Sequence, residues 1–212
     1  MMRIKICGIT RPQDGVAAAE AGVDAIGLVF ASSPRRVTQA KAREIIREVP
    51  PFVSVVGVFV DTPAATILRL SNLLNLDYVQ LHGEEDVRMI RALRSLRIIK
   101  ALRVRDRTFV DQIRRYADIG VCAILLDAFS PKARGGSGER FDWSLVADAR
   151  RAGALKNAPP IILAGGLSAT NVREAIGRVR PWAVDVSSGA ESSPGVKSVR
   201  KIERFIAAVR SA

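Results

Sequence analysis

Short, nearly continuous runs of Val, Ile and Leu alternate along the whole chain with longer stretches whose apolar residues recur at helical spacing. The runs predict eight strands: Arg3 to Cys7, Asp24 to Phe30, Phe52 to Val60, Asp77 to Leu81, Arg97 to Leu102, Val121 to Asp127, Pro160 to Ala164 and Ala183 to Ser187. Near-continuous hydrophobicity marks strands covered on both faces, as in a parallel sheet flanked by helices. Helix signals fall between the runs. Thr10 precedes Pro12, Thr62 precedes Pro63, Ser168 to Asn171 opens a pattern leading to Arg178, and Gly22 closes the first helix. Eight evenly spaced strand–helix units predict a (β/α)8 TIM barrel, with residues 1–212 as a single catalytic domain at the compact end of that fold's size. An open doubly wound sheet is disfavoured, because no G-x-G-x-x-G follows the first strand.

Composition narrows the class. Hydrophobic residues make up 48% and charged residues 25% of the chain, values of a folded protein rather than a disordered one. No apolar run approaches the ~20 residues of a membrane helix, so no membrane partner is expected. Met1 to Cys7 enters a strand pattern without a charged leader or apolar stretch, and Cys7 and Cys122 are the two cysteines. Both features predict a protein of the reducing cytoplasm. The net charge of +12 is spread over every segment without a basic tail or block. That dispersal predicts a solvated surface that attracts an anionic small molecule, with no nucleic-acid partner.

Functional side chains of such barrels gather at the C-terminal strand ends. Those ends read Cys7-Gly8, Phe30 and its loop, Asp61, Gln80 to Gly83, Asp127, Gly165-Gly166 and Asp185 to Gly189. Gly165 and Gly166 after strand seven, with Ser187, Ser188 and Gly189 after strand eight, match a phosphate-binding layout built from backbone N–H groups. Asp127 follows four aliphatic residues and precedes a long Gly- and Ser-rich loop, Ala128 to Arg140, so it is a candidate acid or base. The loop is a candidate cover. Cys7 ends strand one, where a thiol reaches the barrel mouth, whereas Cys122 sits in an apolar run and reads as core. The single histidine, His82, reads as a hydrogen-bonding residue. No His, Cys and carboxylate set has metal-site spacing, so no catalytic metal is expected.

Lys5-Ile6-Cys7-Gly8-Ile9-Thr10 resembles the opening motif of the phosphoribosylanthranilate isomerase family. Val79 to Gly83, Gly135 to Gly138 with Phe141-Asp142-Trp143, Leu163 to Leu167, and Val184 to Gly189 with Pro194-Gly195 extend the resemblance over nearly the whole chain. It implies an isomerase of tryptophan biosynthesis that performs an Amadori rearrangement without a cofactor, as a monomer or homodimer. It also implies Asp127 as general acid and Cys7 as general base, the first protonated and the second at least partly thiolate when substrate binds. Arg35, or Arg36 beside it, would contact the anthranilate. Gln80, His82 and Asp185 would line the substrate pocket, with Asp185 orienting a hydroxyl or a backbone group. A cysteine at strand one argues against the related histidine-pathway isomerase, whose pattern is a pair of aspartates. No lysine at that strand end supports an indole-glycerol-phosphate synthase, and the chain is short for a bifunctional barrel.

Overall fold

In the computed structural model, which describes residues 1–128 and 141–212, eight parallel strands close into a barrel in chain order. The strands are β1 (Arg3–Cys7), β2 (Ala25–Val29), β3 (Ser54–Phe59), β4 (Tyr78–Leu81), β5 (Ile98–Val104), β6 (Ala123–Ala128), β7 (Ile161–Leu163) and β8 (Ala183–Val186). The helices outside them are α1 (Pro12–Glu20), α2 (Gln39–Glu48), α3 (Ala64–Leu74), α4 (Val87–Ala92), α5 (Phe109–Ala117), α6 (Ser144–Arg151), α7 (Val172–Val179) and α8 (Val199–Arg210). The barrel closes through β1 and β8, where Lys5 lies opposite Asp185.

Strand alternation sorts the core into two layers. Val56, Ile99, Ala101, Ala123, Leu125 and Ile162 fill the barrel, while their neighbours Val55, Ile98, Leu102, Ile124, Leu126 and Ile161 pack outward against the helices. Local chemistry fixes the boundaries. The Thr38 hydroxyl accepts from Lys41 N at 3.2 Å to start α2, and Asp86 accepts from Met89 N at 2.8 Å to start α4. Asp24 and Asp77, read from sequence as strand residues, instead stitch adjacent strands. Their carboxylates accept from Ile4 N at 2.8 Å and Val55 N at 2.7 Å.

Beyond β8 the chain makes a 3-10 turn, Ser188–Ala190, and a small antiparallel hairpin of β9 (Glu191–Ser193) and β10 (Val196–Lys197). Ala190 and Lys197 are buried, and the Lys197 amide donates to the buried Asp14 of α1 at 3.2 Å. The hairpin is thereby fixed over the C-terminal mouth, beside the end of β1.

Candidate active site

Cys7 is the last residue of β1 and points inward, because Gly27 on the neighbouring β2 leaves it room. A Cβ on Gly27 would lie 2.8 Å from Cys7 Sγ and 3.2 Å from Lys5 Cε. Sγ and the Lys5 chain therefore crowd one spot inside the barrel. Lys5 Nζ donates to Asp185 Oδ1 at 2.9 Å, and both side chains are buried. Burial pushes the Cys7 thiol up, and Asp185 adds to that; Lys5 and Lys197 pull it down without cancelling it. Burial alone would lower the Lys5 ammonium, but Asp185 and Cys7 together more than restore it and hold it above its ordinary value.

Three strands away around the barrel, across β7 and β8, Asp127 occupies the inward face at the end of β6. Its Oδ1 accepts from Ala128 N at 2.8 Å, and its Oδ2 lies 3.1 Å from His82 Nε2. Gln80 Nε2 lies 3.0 Å from His82 Nδ1, so Gln80, His82 and Asp127 form one hydrogen-bonded row. Arg103 on β5, the register partner of Asp127, donates to the His82 carbonyl at 3.3 Å.

The loops after β7 and β8 lie between the thiol and the carboxylate. Gly165 and Gly166 have φ of 83° and 61°, the left-handed region that glycine enters freely. Asn171 holds their turn by donating to Gly166 O at 2.9 Å. Gly189 packs so closely that a Cβ there would lie 2.1 Å from Leu167 O, so the two loops share one surface. The amides of Ser188 and Gly189 precede the first bond of the 3-10 turn, made by Ala190 N to Ser187 O at 3.1 Å. Ser187 Oγ is buried, with no hydrogen-bond partner among the described residues.

Cys7, Arg35, Gln80, His82, Asp127, Asp185 and the residues after β7 and β8 thus gather at one mouth, and two of them have partners the sequence did not suggest. Asp185 accepts from Lys5 through Oδ1. Arg35 gives Nε and Nη2 to Glu191 at 2.7 and 2.8 Å, so one edge of its fork is already engaged. Glu191 also accepts from Lys197 Nζ at 2.9 Å. Lys5, Glu191 and Lys197 were missed. Lys5 was legible as the inward position two residues before Cys7, whereas Glu191 and Lys197 sit on strands too short to leave a periodic signal. Cys122, read as core, is half-buried at the N-terminal mouth, its thiol donating to Ile98 O at 2.9 Å. The expected cover, Gly135 to Gly138 included, lies outside the described residues.

A (β/α)8 barrel with a thiol and a carboxylate flanking a glycine-built loop pair at its C-terminal mouth defines an acid–base enzyme of the TIM-barrel class. Comparison with known proteins narrows that class. The family model described as N-(5'phosphoribosyl)anthranilate (PRA) isomerase matches residues 4–208, and the chain belongs to that family. It is 50% identical over 213 residues to the N-(5'-phosphoribosyl)anthranilate isomerase of Pseudomonas putida, covering 100% of this chain and 98% of the relative. Among solved structures it is similar to a phosphoribosyl anthranilate isomerase in complex with reduced 1-(o-carboxyphenylamino)-1-deoxyribulose 5-phosphate (TM-score 0.86, 39% identity, both chains covered in full, 100%). It is equally similar to monomers generated from the dimeric enzyme of Thermotoga maritima (TM-score 0.86, 37% identity, 100% of each chain).

Proposed function

We propose that Asp127 and Cys7 are the acid and base of an isomerase that converts N-(5'-phosphoribosyl)anthranilate to 1-(2-carboxyphenylamino)-1-deoxyribulose 5-phosphate. The reaction itself is that of the family to which the chain belongs. The observation that carries the assignment is the placement of Cys7 and Asp127 on inward strand ends, with the loops after β7 and β8 between them. Asp127 gives a proton to the ribose ring oxygen as the C1–O bond breaks, and the anilino nitrogen lone pair forms the iminium. Cys7 thiolate then removes the C2 proton. The released electron pair forms the C1=C2 bond of an enolamine, which tautomerises to the ketone of the product.

The amides around Gly165, Gly166, Ser188 and Gly189, with the Ser187 hydroxyl, take the phosphate. Gln80 and His82 keep Asp127 in place, and the outer edge of the Arg35 fork takes the anthranilate carboxylate. Reducing surroundings such as the cytoplasm suit a site built on a free cysteine.

A second copy of the chain is the partner best suited to the N-terminal mouth. Phe52 is fully exposed there at φ 71°, beside a cavity of about 450 Å³ lined by Tyr78, Ile99, Cys122, Ile162 and Trp182. A ring and a recess on one face are self-complementary, as a two-fold interface requires, and a dimeric relative exists at 37% identity. Sedimentation that gives a dimer for the wild type and a monomer for Phe52→Glu supports this; a wild-type monomer refutes it.

Turnover of freshly made phosphoribosylanthranilate, followed by loss of anthranilate-type fluorescence, tests the assignment. Wild-type activity that falls by about 10²-fold or more in Cys7→Ser and in Asp127→Asn is expected. A folded but inactive wild type sinks the reaction, and undiminished variants sink the roles.

A further inference from the structure

We propose that the Lys5–Asp185 pair is a positioning device for the base, in which Lys5 is the counter-ion that lets Cys7 become a thiolate and Asp185 restrains it. The inference rests on the reading of Cys7 as base. Lysine is costly inside a barrel, and Lys5 is buried on the same inward face as Cys7, two residues away. Its ammonium has three hydrogens. One points to Asp185 Oδ1 at 2.9 Å, across the β1–β8 seam where the two residues are register partners. Lys5 Cε and Cys7 Sγ lie 3.2 and 2.8 Å from the single point on β2 where a Cβ on Gly27 would stand, so the two side chains share one space inside the barrel.

The other charges around the thiol are already committed. From the β2–α2 loop comes Arg35, bound bidentately to Glu191 of β9, and from β10 comes Lys197, bound to the same carboxylate. Lys197 also donates to Ser187 O at 3.1 Å. Asp185 on β8 is therefore the anion that competes with a thiolate for Lys5. The electrostatic directions agree: Lys5 favours the thiolate, Asp185 opposes it, and Lys197 adds a smaller pull in the sense of Lys5.

A pair that merely braced the barrel would respond alike to the loss of either half. A counter-ion and its competitor respond with opposite signs, and that contrast is the test. The ionisation of Cys7 is followed by thiolate absorbance against pH in a Cys122→Ser background, with the Cys7→Ser protein subtracted. Lys5→Met is expected to raise the midpoint by about one pH unit or more, and Asp185→Asn to lower it by a similar amount. Midpoints that stay put, or that move in the same direction, overturn the proposal. If Lys5→Met does not fold, Asp185→Asn decides alone, because a midpoint that is unchanged or raised contradicts the competition. The titration needs no turnover. Opposite shifts alongside an inactive wild type would sink the isomerase reading and leave the competition of Asp185 with the thiolate for Lys5 standing.

Discussion

Replacing Glu191 with glutamine keeps the shape of the side chain and removes the one charge that two buried cations share. The carboxylate accepts from Arg35 Nε at 2.7 Å, Arg35 Nη2 at 2.8 Å and Lys197 Nζ at 2.9 Å, and its own side chain is only 5% exposed. An amide supplies one acceptor oxygen, and its NH2 group faces a cationic donor. Removing one partner of a buried ion pair costs about 3–5 kcal/mol, because the remaining charge is stranded. That is a large share of the ~5–15 kcal/mol that holds a typical protein folded. With a urea dependence of about 1–3 kcal/mol per molar, the midpoint should fall by roughly 2 M at neutral pH.

The same change has a pH signature. Burial alone would push the Glu191 carboxyl up, but hydrogen bonds from Arg35 and Lys197 outweigh it and hold the group below the usual carboxylate range. A carboxyl whose folded value is depressed stabilises the protein above the unfolded value, about 4.3, and that stability is lost as pH falls through the folded value. The gap between wild type and Glu191→Gln should therefore be full at neutral pH and shrink in acid below about pH 4.3. Urea melts at several pH values measure it. A midpoint shift under about 0.5 M at neutral pH, or a gap that widens in acid, would refute the reasoning.

Gly27→Ala should keep the fold and damage the site. Its Cβ would meet Cys7 Sγ at 2.8 Å and Cys7 Cα at 3.1 Å, so β1 must give way. A displacement near 1 Å at a reacting group costs about 10²-fold in rate, whereas overpacking costs only about 1–3 kcal/mol; kcat together with a urea melt separates the two. Lys100→Met should do the reverse. Lys100 Nζ donates to Glu85 Oε2 at 2.8 Å and to Gly83 O at 2.7 Å from a fully buried position outside the barrel wall. Stranding Glu85 should cost about 3–5 kcal/mol in a denaturation experiment, and a change within experimental error would contradict the burial of that pair.

The barrel was legible because its evidence is repetitive. Each strand run has a helix pattern behind it, and all eight barrel strands overlap the expected runs, while β9 and β10 lie outside them. The differences arise where one residue breaks the hydrophobic run or extends it falsely. Strand β5 was expected to stop at Leu102 because Arg103 interrupts the apolar run, yet it continues to Val104. Arg103 faces inward at the mouth, while Val104 packs outward. Strand β3 was expected from Phe52, but that residue is exposed in a turn at positive φ, and the strand begins at Ser54.

The site was legible to the extent that its residues end strands. Cys7, His82, Asp127 and Gly165 all stand where an apolar run gives way, which is a positional signal. Lys5, though alternation puts it on the face of Cys7, reads as a solvated residue of a short strand until its partner is known, and Glu191 and Lys197 carry no positional signal. Their partners lie 180, 156 and 6 residues away in sequence. Ion pairing at such separations, or within an unread hairpin, is a property of the closed barrel rather than of any segment.

The most direct test of the acid–base account is a crystal structure of this chain with reduced 1-(o-carboxyphenylamino)-1-deoxyribulose 5-phosphate, the compound bound in a related structure. The account predicts Cys7 Sγ and an Asp127 oxygen each within about 3–3.5 Å of the sugar chain, the first at C2 and the second at the oxygen released on ring opening. The phosphate should rest on the amides after β7 and β8. A bound compound whose C2 faces away from Cys7, or whose phosphate lies elsewhere at the mouth, would contradict it.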